Sequence, residues 1–191
     1  MPPKIHSVSL SPTHSFSKRP VASITLVQGY GVSGDSHAGA TIQHLSRQRT
    51  NPSAPNLRQV HFISREFLST LSRDSEEPVN PGDLGENITT SDIDVLRLGR
   101  GDRLRFVKDG VEGEEGTVVV EITGLRNPCP QIERFRKGLQ EKCVVRQKEG
   151  GRIVQRKAGV MGVVLLGGEV EAGMRILVEP AEGGRVPLEV V

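Results

Sequence analysis

Three short stretches carry side chains able to do chemistry. In "GYGVSGDSHAG" (29–39), Asp35 and His37 stand among four glycines. "PGDLGENITT" (81–90) sets Glu86, Asn87, Thr89 and Thr90 beside glycines. In "GLRNPCPQIE" (124–133), Cys129 is bracketed by Pro128 and Pro130. Carboxylate, imidazole and thiol groups move protons, ligate metals or attack electrophiles.

Each stretch also has a plainer reading. The prolines beside Cys129 fix φ and donate no N–H, so the thiol belongs to a stiff loop. Arg126, three residues earlier, favours the thiolate; the alternative is a small buried hydrophobe. Cys143, in "KCVVR", has a strand's pattern and reads as core. Gly29-x-Gly31-x-x-Gly34 spells a dinucleotide fingerprint, but that fingerprint needs a following helix and an acid about 20 residues on. The segment "DSHAGATIQHLSRQRTNPSAP" is a poor helix, with no acid near Asn51 to Pro55. His37, His44 and His61 lack the i, i+4 spacing of a helical zinc site. Asp35 and His37 are two apart, so an extended segment would aim both at one pocket edge. Equally, Asp35 could cap a turn while His37 bonds the backbone. The 82–90 loop either gathers a carboxylate, an amide and hydroxyls or is a generic turn.

These loops need a scaffold. The 191 residues suit one domain with its own core, spanning 1–191. There is no Trp and one Tyr, so aliphatic residues must build that core, and the abundant Val favours strands. "KIHSVSL" (4–10), "ASITLVQ" (22–28), "LRQVHFI" (57–63), "GDRLRFV" (101–107) and "TVVVEIT" (117–123) read as strands. The last two are expected to form a hairpin around "KDGVEGEEG". "SREFLSTLS" (64–72) reads as a short helix capped by Ser64, and a second helix is expected after Pro130. "KCVVRQ", "GRIVQRK", "GVMGVVLLGG", "MRILVEP" and "RVPLEVV" make the C-terminal half strand-rich. Many short strands with glycine turns predict a mainly β fold, a closed or partly closed barrel with a few short helices.

Composition narrows the function. The net charge of +2 and scarce aromatics argue against nucleic acid. Charge is unevenly spread. Residues 126–157 hold ten Lys or Arg against three Glu, and 65–94 hold two against eight acids, so a basic rim for an anion is one reading. The longest apolar run, Val160 to Leu166, is too short for a bilayer. The N-terminus lacks a signal-peptide layout. With two cysteines and no CxxC, a reducing, cytoplasmic setting is expected.

Taken in order, "GVSGDSHAG", "LRQVHFI", "PGDLGENITT", "GLRNPCPQIE" and "AGVMGVVLLGGEVEAGMRILVE" resemble the MOSC family, named for the C-terminal domain of molybdenum cofactor sulfurases. The resemblance implies a β-barrel that handles the molybdenum–pterin cofactor or its sulfur. Cys129 then matches the cysteine that ligates molybdenum in oxotransferase-type members. The Gly-Asp-x-His-x-Gly motif maps to Asp35 and His37, and Gly-Glu-Asn to Glu86 and Asn87. The early phosphate loop maps to Ser15, Ser17 and Lys18.

In that setting Lys18 and Arg126 would neutralise phosphate, and Ser15, Ser17, Thr89 and Thr90 would hydrogen-bond it. Asn127 joins the cofactor-binding set beside Arg126. His37 and Glu86 would shuttle protons. The expected activity is reduction of N-hydroxylated small molecules with a separate electron-donor protein. The alternative is a carrier that holds persulfide on Cys129, fed by a sulfur donor, without turnover. The pyridoxal-phosphate domain of full sulfurases is absent from this stretch, so that cofactor is not expected here.

Overall fold

The computed structural model describes residues 1–44, 48–73, 77–108, 117–149 and 151–191. The expected "KDGVEGEEG" turn lies almost entirely outside them. Thirteen strands are described: β1 Lys4–Leu10, β2 Arg19–Val21, β3 Ser23–Val27, β4 Gly31–Val32, β5 Val60–Ser64, β6 Ile88–Ser91, β7 Arg103–Val107, β8 Val118–Leu125, β9 Val144–Arg146, β10 Ile153–Arg156, β11 Val160–Leu166, β12 Gly168–Glu171 and β13 Arg175–Glu179. Helices are short: α1 Arg65–Ser72, α2 Pro130–Phe135, α3 Leu139–Lys142 and a 3-10 turn at Val95–Arg97.

Seven strands close a barrel in the order β1-β6-β5-β11-β8-β7-β13, with β13 returning to β1 at Arg175 and Lys4. The β5–β6 pair is parallel, Phe62 facing Ile88, and the other six joins are antiparallel. β2 extends the sheet from β1. β12-β3-β4 forms a small separate sheet, and β9–β10 a two-stranded hairpin.

Strand chemistry explains the closure. In β7, "RLRFV", Leu104 and Phe106 point inward while Arg103 and Arg105 stay accessible. Phe62 and Phe106 meet inside the barrel at 6.2 Å between ring centroids, among Ile5, Val8, Val120 and Ile122. Each such side chain, fully buried, contributes about 1.5–3 kcal/mol. β5 is buried at all five positions, because its outer face is covered too. There Ile63 packs with Leu68 and Leu71 of α1, Leu84, Ile132 and Cys143 in a second apolar cluster. Ser64 caps α1, its hydroxyl accepting from the Phe67 N–H at 3.2 Å.

β1 and the opening of α1 fall where the pattern predicts them. β5 begins later than "LRQVHFI" implies, after Asn56 and Gln59 have bonded the neighbouring loop and strand. "RVPLEVV" is no strand. It makes isolated bridges, Arg100 to Val186 and Leu125 to Val190. No described helix is long and apolar enough to cross a membrane.

Candidate functional site

At one end of the barrel, the loops after β1, β4 and β8 meet the segment entering β6. They enclose a cleft of about 390 Å³ lined by Ser15, Phe16, Lys18, His37, Asn87, Arg126 and Cys129, with His14, His44, Arg58, His61, Gly85, Pro130, Gln131, Arg134 and Met161 completing its walls. A groove of about 780 Å³ along residues 10–19 and α2 shares Ser15, Phe16, Lys18, Gln131 and Arg134 with it.

The glycine loop is a turn rather than a phosphate cradle. Gly31–Val32 folds back as a strand against β3, and residues 33–44 continue as turns and an isolated bridge rather than a helix. Asp35 takes the capping role and does not line the cleft. Its Oδ1 accepts from the His37 N–H at 2.9 Å, capping the turn. Its Oδ2 lies 2.7 Å from Lys18 Nζ, with both side chains almost fully buried. Burial alone would raise the Asp35 pKa. The bonds from His37 and Lys18 outweigh it and hold the carboxyl well below its ordinary range.

Asn87 locks this turn to the barrel. Its Nδ2 donates to Asp35 Oδ2 and to the Ser9 carbonyl, both at 3.2 Å, and its Oδ1 accepts from the His61 N–H at 3.2 Å. Strands β1 and β5 and the glycine loop are thus tied to one amide, itself buried.

Imidazoles crowd one wall. The His37 ring lies 5.4 Å from His14 and 5.3 Å from His44, centroid to centroid. His37 Nδ1 lies 3.3 Å from Asp35 Oδ1. His61 Nε2 bonds the Ala158 carbonyl at 2.8 Å. Burial, reinforced by Arg126 and Lys18, holds His61 well below the usual imidazole range, so it is neutral at pH 7. No group of three or more His, Cys, Asp or Glu among the described residues is set to hold a metal ion.

Cys129 also lines the cleft, partly exposed, just ahead of α2. Its thiol faces Gln131 Oε1 at 3.7 Å. The Arg126 guanidinium lies beside that sulfur, donates to the Leu84 carbonyl, and covers the Phe16 ring at 5.8 Å. Cys143 is buried, its thiol pushed up to about 11 by burial. Among the described residues no Asp or Glu lines the cleft, whereas Lys18, Arg58, Arg126 and Arg134 do.

Ser15, Lys18, His37, Asn87, Arg126 and Cys129 therefore share one cavity, with Asp35 bracing it from behind. Five other candidates are placed elsewhere. Glu86 is fully buried; its Oε1 accepts from the Gly82 N–H at 2.7 Å and the Thr89 hydroxyl at 3.2 Å, and it does not line the cleft. Burial raises its pKa. Thr89 is spent on that bond, and Thr90 is sealed inside the barrel wall. Ser17 donates to the Asp83 carbonyl and lines only the adjoining groove. Asn127 is exposed, its Oδ1 accepting from Arg156 Nε at 3.0 Å. His14, His44, Arg58 and Arg134 were not singled out as site residues from sequence. They lie in loops and a short helix with ordinary surface composition, and only the fold assembles them.

The fold resembles those of YuaD from Bacillus subtilis (21% identity, TM-score 0.73, 95% of this chain and 98% of that one) and YiiM from Geobacillus stearothermophilus (16%, 0.63, 97% and 80%). YiiM from Escherichia coli is similar too, at 16% identity and a TM-score of 0.60 over 97% and 73%. No curated protein matches the sequence. The family pattern of the MOSC domain matches residues 38–177, a span that begins just after His37 and takes in Asn87 and Cys129. On that match, carried by a closed barrel with the cysteine loop at its open end, the chain belongs to the MOSC domain family.

Proposed function

We propose that this chain binds the molybdenum–pterin cofactor in the cleft, with Cys129 as thiolate ligand, and reduces N–O bonds of small molecules. The observation that carries the reading is a reachable thiol in a cleft lined, among the described residues, by cations and by no carboxylate. The donor chemistry fits. A thiolate is a soft ligand suited to such a metal, and Arg126, Arg134 and Arg58 supply charge-assisted donors for the cofactor's phosphate. When bound, the cofactor supplies two-electron oxygen-atom chemistry.

The chain's own residues then bind, orient and protonate. Arg126 lies beside the sulfur and is itself held by Leu84 and Phe16. His37, fixed at Nδ1 by Asp35, is the group placed to give a proton to a departing oxygen. Glu86, away from the cleft, is not assigned that role. Mutual braces among Lys18, Asp35 and Asn87 keep the walls in place without solvent rearrangement.

The test is metal and pterin analysis of protein made in a host with an active cofactor pathway. Wild type should contain molybdenum near one per chain, and Cys129→Ser should lose it. Metal absent from both proteins overturns the assignment.

A sulfur-carrier role has one observation in its favour: of the two thiols, only Cys129 is accessible. Mass spectrometry after exposure to a persulfide donor would then show one added sulfur on the Cys129 peptide.

A further inference from the structure

The structure assigns the β9–β10 hairpin as the docking surface for an acidic electron-carrier protein. This rests on the reductase reading, which needs electrons from another molecule, but the argument for the surface is its own. Residues 142–157 contain six Lys or Arg and one Glu. Lys148 and Arg152, at the hairpin's tip, are exposed. Arg146 is bound to Glu141, Nε to Oε1 at 2.7 Å, so part of the charge is answered within the chain. Lys157 sits 5.7 Å above the Phe67 ring and Arg156 reaches Asn127, so the remaining cations cluster towards the cysteine loop.

Between these charges lie apolar side chains that the fold leaves uncovered. Val145 on β9 is 38% exposed and Val154 on β10 is 52% exposed. Val154 also faces a groove of about 430 Å³ shared with Leu125, Leu188 and Val190. An apolar centre with a charged rim is the composition of a protein–protein contact. A nucleic-acid surface would pair cations with stacking rings, and residues 142–157 hold no aromatic side chain.

Position completes the argument. Arg156 Nε holds Asn127 Oδ1 at 3.0 Å, two residues from Cys129, and the Lys157 N–H donates to the Cys143 carbonyl at 2.8 Å. A partner seated on the hairpin is therefore beside the loop that carries the reachable thiol. Positive charge on a protruding hairpin steers an acidic partner to this end of the barrel, and salt screens that attraction.

The test uses the full-length protein, ¹⁵N-labelled, titrated at low ionic strength with an acidic flavodoxin, an acidic [2Fe–2S] ferredoxin, basic cytochrome c and a single-stranded DNA 12-mer. At least one acidic carrier should bind, with shifts centred on residues 142–157. Affinity should fall tenfold or more at about 0.3 M salt, and tenfold or more in the double variant Lys148→Glu/Arg152→Glu. Cytochrome c should not bind. The double variant should keep its folded spectrum. Binding by neither acidic carrier, shifts centred elsewhere, an unchanged affinity in the double variant, or preferred binding of DNA overturns the assignment. Molybdenum content of the same preparation separates the outcomes. Metal without docking defeats only the surface, and docking without metal defeats only the reductase reading.

Discussion

Lys18 Nζ and Asp35 Oδ2 lie 2.7 Å apart with 4% and 1% of their side chains exposed, joining the loop after β1 to the glycine loop. Both segments line or brace the cleft, so this pair fastens two of its edges together.

Breaking the pair from one side leaves a buried charge without its counter-charge. Asp35→Asn or Lys18→Met should each cost about 3–5 kcal/mol. Lys18→Met/Asp35→Asn together should recover much of the loss, because the amide oxygen still accepts from the His37 N–H. Because the Asp35 pKa is depressed in the fold, its contribution is full above the ordinary Asp range. It fades as pH falls below that range towards the folded value. Urea titrations at pH 7 and pH 3 measure both effects. Single variants as stable as wild type would contradict the account.

Glu86 has the opposite sign. Its pKa is raised by burial, so the folded state holds the proton more tightly than the unfolded chain. Stability should decline as pH rises from the ordinary Glu range up through the folded value. Glu86→Gln keeps an acceptor for Gly82 and Thr89 but has no charge to bury. Its stability should fall less between pH 4 and pH 7 than that of wild type. Parallel pH profiles for the two proteins would remove the argument.

The two thiols should react very differently. Cys129 is reachable, whereas Cys143 is sealed and its pKa stands near 11. Native protein at pH 8 should take up one iodoacetamide per chain, at Cys129, and a second only after denaturation. Native Cys129→Ser should take up none. Peptide mapping that found Cys143 labelled first would reverse the assignment of the open wall.

Gly159 tests how tightly the floor of the site is packed. Its φ is +93°, and a Cβ there would strike the Phe62 carbonyl and the His61 ring. Gly159→Ala should cost well above the 1–2 kcal/mol of the left-handed conformation alone. Gly173→Ala has a similar φ of +94° but open space around it, and should cost only about that amount. Equal melting temperatures for the two variants would show that the collision is relieved by a backbone shift.

Alternation made β1, β3 and β7 legible, because each shows one face to the core, whereas β8, buried at six of its eight positions, was legible from its valine run. The cysteine loop was legible because prolines leave few conformations open. Side-chain direction within turns was not. Gly85 takes φ +80° and Gly82 +89°, so Gly85 and Asn87 face the cleft while Glu86 between them turns inward. Arg126 and Asn127 likewise part company as β8 ends. The histidine wall draws on residues 14, 37 and 44, whose adjacency depends on long-range closure that no local pattern encodes.

The number of staves in the barrel has its own arithmetic. A ring whose neighbours all run in opposite directions needs an even count, and this ring has seven. One like-directed join is unavoidable, and a tight turn cannot make it. β5 and β6 are that join, so the chain must travel the long way round between Ser64 and Ile88. The amide that fastens three segments together stands on the last step of that detour, placed there by parity.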